Sequence, residues 1–186
     1  MTTTPAPAPD RHDPAASPDE AAVLRLGDID ARTVATLLAG YDIKLELLPA
    51  GADIPGSYWG APEAGLIGSA VYARPDTPVH SLLHEACHLI VLPPERRAAV
   101  HTDATDSIDE ENAVCVLQAL LGDQLPGVGR HRILDDMDRW GYSFRLGSAR
   151  AYFEQDADDA FDWLRARDLL PASIDRTSIP CADAAA

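Results

Sequence analysis

A chain of 186 residues, 46% of them hydrophobic, has room for one packed domain and not for two comfortable ones. Thirty acidic against fifteen basic side chains leave a formal charge of −15, which repels nucleic acid and anionic membrane alike and argues against both as partners. No run is long and apolar enough to span a bilayer, and the start at Met1 lacks the basic and apolar segments of a secretory signal. Three widely spaced cysteines, Cys87, Cys115 and Cys181, suggest no disulfide framework, so the expected setting is the cytoplasm.

Residues 1–19, rich in Pro and Ala without apolar periodicity, read as a disordered tail. Residues 31–40 form an amphipathic pattern capped by Asp28 or Asp30 and closed by Gly40, which predicts a short helix. Residues 43–48 alternate apolar and polar as a strand does, and residues 66–73 read as a second strand after a Gly/Pro-rich loop. Thr77 as cap and Pro78 at the first helical position open a helix that Pro93 and Pro94 stop near residue 92. A polar connection, residues 95–106, leads to a helix over 108–122. Further helices follow near 131–140, 148–155 and, with Asp156 as cap, on to 167; residues 171–186 read as a flexible tail. The order indicates a single α+β domain over residues 20–170, with a small antiparallel or mixed sheet packed on the helix after Thr77 and helices C-terminal to it.

That helix carries His84-Glu85-Ala86-Cys87-His88. Residues four apart share a helix face, so both imidazoles can reach one metal ion, and the intervening Glu is placed to hold a water. Its circumference is apolar on nearly all sides, which predicts burial, and buried imidazoles need a partner such as a shared zinc. His80, one turn earlier, is expected to pack or to support from behind, because three histidines along one face do not converge on one ion. Cys87 reads as a small buried hydrophobe.

A catalytic zinc takes three protein ligands and keeps one open position. The best source of the third is the acidic head of the helix over 108–122. On a helical wheel Glu110 falls near the middle of its apolar face, with Glu111 about a quarter turn away. Glu110 is therefore the expected ligand and Glu111 the alternative, although Ser107 and Glu110 also have capping-box spacing. His101 and Asp103 are further alternatives if their loop folds back. Glu85 is assigned as catalytic base, taking a proton from water and passing it to a leaving amine. Tyr142, Arg145 and His131 are candidates by position for stabilising an oxyanion.

These motifs resemble those of the gluzincin metallopeptidases, and most of all the small bacterial ImmA/IrrE-type proteins. The likeness rests on His84-Glu-Ala-Cys-His88 and Glu110-Glu-Asn-Ala-Val-Cys-Val-Leu, and covers roughly residues 65–125. It departs from the family at Ala86-Cys87 and at Ala113-Val-Cys-Val116, and no N-terminal helix-turn-helix is evident. The resemblance implies a minimal zincin-like domain, peptide-bond hydrolysis with Zn2+ as cofactor, and a peptide or protein substrate. It also implies that residues 66–73 form an edge strand to which an extended peptide adds. The rival expectation is a zinc-stabilised regulatory or binding domain without turnover.

Overall fold

The computed structural model describes residues 22–105 and 107–170, so both expected tails lie outside the described residues. The described residues form seven α-helices and one three-stranded mixed sheet, an α+β arrangement. None of these helices is long and apolar enough to cross a membrane.

Helix α1, Ala31–Ala39, starts where Asp30 accepts a hydrogen bond from the Arg32 N–H at 3.0 Å, which satisfies one of the orphan amides of the first turn. Strand β1, Lys44–Leu47, follows at once. The single strand expected over 66–73 is instead a hairpin, β2 (Gly65–Ile67) and β3 (Ala70–Ala73). Gly68, at φ 60°, makes the turn in a left-handed conformation that costs glycine little. The sheet order is β1-β3-β2, with β1 parallel and β2 antiparallel to β3. Central β3 buries Val71 and Ala73 completely, while β1 leaves Lys44 and Leu47 to solvent.

Helix α2, Val79–Val91, lies between the sheet and the C-terminal helices and is the core of the molecule. Leu82, Leu83, Ala86 and Leu89 are wholly buried, so the helix is apolar all round because it is covered all round. Pro78, rather than Thr77, occupies its N-cap. Thr77 is used elsewhere: its hydroxyl accepts from the Arg74 N–H and its carbonyl from the Leu26 N–H, both at 2.9 Å. The connection after Pro93 is not wholly irregular, since Pro94–Arg97 form a short helix, α3.

Helix α4, Ile108–Gly122, packs on α2 and also on α5 (Gly129–Trp140) and α7 (Asp158–Arg165), with α6 (Ala149–Gln155) beside α5. Every residue of α4 from Ala113 to Gly122 is buried. Helix α7 is capped at Ala157, one residue after the expected Asp156, which instead pairs with Arg145.

One buried charge ties the N-terminal segment to this bundle. Asp136 of α5, fully enclosed, accepts hydrogen bonds from the Leu24 N–H at 2.9 Å, Arg132 at 2.9 Å and Arg139 at 3.1 Å. Asp136→Ala leaves two guanidinium groups and an amide without their acceptor. It is expected to cost about 1–3 kcal/mol of stability, because the Leu24 amide loses its acceptor while both guanidinium groups, 38% and 41% exposed, regain water. Urea unfolding followed by circular dichroism measures this; a loss below about 1 kcal/mol would contradict it.

Candidate metal centre

Helical spacing puts His84 and His88 on one face of α2, and α4 crosses that face with Glu111, Cys115 and Gln118 at positions i, i+4 and i+7. The His84 and His88 Nε2 atoms stand 3.1 Å apart. Glu111 completes the group, one carboxylate oxygen 3.2 Å from His84 Nε2 and the other 3.4 Å from His88 Nε2. Ligands on a tetrahedral zinc at bond lengths of 2.0–2.1 Å are separated by about 3.3–3.4 Å, and the contacts here, 3.1–3.4 Å with a different carboxylate oxygen facing each imidazole, lie near that spacing.

The tautomer is set from behind. Gln118 Oε1 lies 2.7 Å from His84 Nδ1, which leaves the Nε2 lone pair aimed at Glu111 and His88. Gln118 is fully buried, and its Nε2 has no partner among the described residues; nor does His88 Nδ1. Cys115 forms an overlapping set with His84 and Glu111, without His88. Its sulfur, a ring nitrogen of His84 and a Glu111 oxygen all lie within 4.8 Å of one another.

Burial lowers the basicity of both imidazoles, but not equally. For His84 the burial effect is outweighed by Tyr142, Cys115 and Glu111, which raise its pKa well above the ordinary value. His88 falls to about 3, through burial first and then the neighbouring charge on His84. Burial also acts on Glu111, but its bond to His84 and the charge on both imidazoles leave its pKa lowered. The two facing Nε2 atoms share at most one proton, and a divalent metal that displaced it would meet two lone pairs beside a carboxylate. The residues present fit such an ion.

Glu111, and not Glu110, is the carboxylate that meets the imidazoles. The wheel misjudged it because α4 is packed by α2, α5 and α7 together, so its average apolar direction does not point at α2. Glu110 lies at the capped start, where its backbone N–H donates to Ser107 Oγ at 3.4 Å, and one of its side-chain oxygens is buried without a partner among the described residues.

His84, His88 and Glu111 open onto a cleft of about 720 Å³. Glu85 lines it, and burial pushes its carboxyl up to about 7, with Glu63, Glu111 and Asp103 reinforcing and His84 opposing. Tyr142 lines it too, its ring 6.0 Å from that of His84, and burial raises the phenol's pKa so that it stays protonated. At the mouth Tyr58 and Trp59 are exposed and meet edge to face at 4.9 Å. Trp140 donates to Glu63 at 2.8 Å across the wall.

Other sequence candidates lie elsewhere. His131 is exposed and bonds Arg150, and Arg145 pairs with Asp156; neither lines the cleft. His101 is exposed and bonds Thr102, while Asp103 reaches the cleft wall but forms no part of the close-set group. His80 packs behind the site between Trp140 and Tyr142, and burial lowers its pKa to about 3, which keeps it neutral. Cys87 is buried, and burial pushes its thiol well up, as befits a small hydrophobe. Cys115 and Gln118 were missed, although their spacing from Glu111 was a usable signal. Compared with family models, characterised proteins and solved structures, the chain matches none.

Proposed function

We infer that the chain is a zinc metallopeptidase of the gluzincin kind, with a minimal zincin-like domain and His84, His88 and Glu111 as ligands. The observation that carries the reading is the near-equal triangle of two Nε2 atoms and one carboxylate, with Glu85 in the same cleft. The likeness of its motifs to those of ImmA/IrrE-type proteins favours peptide bonds over other amides.

Bound zinc supplies a Lewis acid that acidifies water and polarises a carbonyl. Glu85 takes a proton from the attacking water and delivers it to the amide nitrogen, so that the C–N bond breaks and a neutral amine departs. Burial raises the proton affinity of this carboxyl, which offsets the opposing pull of a zinc charge on it. Tyr142, kept protonated, donates a hydrogen bond to the substrate oxygen as negative charge gathers there. Gln118 holds the His84 ring in place throughout.

Hydrolysis of fluorescein-labelled casein tests the proposal. Activity should vanish after exhaustive chelation and return with one equivalent of zinc. Cleavage unchanged by chelation, or absent from fully zinc-loaded protein, would contradict it. A second reading, a zinc-stabilised domain without turnover, is favoured by Cys115, whose sulfur could close the fourth position as structural sites require. On that reading Cys115→Ser weakens zinc binding; on the hydrolytic one it leaves zinc in place.

A further inference from the structure

The outer edge of β2 presents main-chain donors and acceptors that an added strand could pair with, and the chain itself occupies them. Leu66 donates its N–H to Gly56 O at 3.1 Å and accepts from the Thr102 N–H at 2.9 Å. Gly68 donates to Val100 O at 2.9 Å, and His101 bridges Ile67 in antiparallel fashion. Residues 100–102 are therefore a short added strand. On leaving β2 the chain turns sharply: the Asp103 N–H donates to His101 O at 2.8 Å around Thr102, whose φ is 69°. That is a γ-turn with a β-branched residue in the left-handed region, a conformation that stores strain. Thr102, Asp103, Ala104 and Thr105 then line the same cleft as His84, Glu85 and Glu111.

We propose that residues 100–105 are an autoinhibitory strap, seated where the main chain of an extended peptide pairs antiparallel with β2. A peptide must displace the strap to bind. The inference rests on the hydrolytic reading only for what that displacement serves. Two observations make the strap displaceable, although Val100 and Ala104 also pack against the core: it holds β2 by only two hydrogen bonds, and its turn is strained. Gly56 differs, because a Cβ there would meet Leu66 O at 2.5 Å, so that side of the edge is closely fitted. The partner it fits is a polypeptide read through its backbone, with side chains reaching the aromatic and acidic walls of the cleft.

Opposite substitutions at Thr102 test this. Thr102→Pro removes the N–H given to Leu66 and cannot adopt φ 69°, so it releases the strap. Thr102→Gly relieves the strain and, although it gives up the exposed hydroxyl's contact with His101, holds the strap more firmly. Fluorescein-labelled casein, a largely unfolded chain, is titrated into zinc-loaded protein carrying Glu85→Gln, so that binding is read without cleavage. Thr102→Pro should tighten binding about fivefold and Thr102→Gly should weaken it by a similar factor. Equal affinity in all three proteins overturns the strap, as does weaker binding by Thr102→Pro at full zinc content and native circular dichroism. If the proline variant fails to fold, the glycine variant decides alone. The same pair with Glu85 intact separates the two claims. Shifted affinity without cleavage by any variant upholds the strap and refutes hydrolysis; cleavage with unshifted KM does the reverse.

Discussion

Glu85→Gln is expected to abolish casein cleavage while leaving zinc in place, with kcat falling by about 10²–10⁴, the usual worth of a positioned acid–base group. Glutamine keeps the shape and much of the hydrogen bonding of the side chain but cannot accept a proton. Burial holds this carboxyl near neutrality, and the loss should therefore fall on kcat rather than on substrate affinity. Glu85 makes none of the close contacts among His84, His88 and Glu111, so metal content should not change. Steady-state kinetics beside metal analysis check both halves. Retained turnover would remove Glu85 from the reaction, and lost zinc would turn it into a structural residue.

The second large effect separates two neighbouring carboxylates. Glu111→Ala removes one of the three proposed ligands and should weaken zinc binding by at least about 100-fold, since even supporting partners of ligands are worth about 10–100-fold. Glu110→Ala, one residue away, should leave affinity within about threefold, because its side chain stands outside the triangle. Competition against a chromogenic chelator measures both. The reverse order would restore Glu110 as the ligand and discredit the observed packing of α4 on α2.

How far these residues could be foreseen follows from where the information lay. His84, Glu85 and His88 were legible because their relation is local: four residues on a helix fix a shared face without reference to the rest of the fold. The stop at Pro93 and the cap at Asp30, one of the two offered, were legible for the same reason. Glu111 was not, because the rotation of α4 about its axis is set jointly by three neighbouring helices, and a helix buried on all sides from Ala113 to Gly122 carries no record of which side meets His84 and His88. Once Glu111 is placed, Cys115 and Gln118 follow from helical spacing. The hairpin in residues 65–73 was hidden by its own composition, since Gly68 and Ser69 interrupt an apolar run that reads as one strand. The strap was invisible for a further reason. Residues 100–102 reach β2 by main-chain bonds, which side-chain patterns do not encode.

The central claim is that α2 and α4 together hold one zinc through His84, His88 and Glu111. Its most direct test is the zinc content of the purified native chain after dialysis against metal-free buffer, beside Glu111→Ala and Glu110→Ala treated alike. The geometry predicts close to one zinc per native chain and per Glu110→Ala chain, and little or none in Glu111→Ala. A native chain that retains no zinc under reducing conditions, or a Glu111→Ala chain that retains a full equivalent, would contradict it.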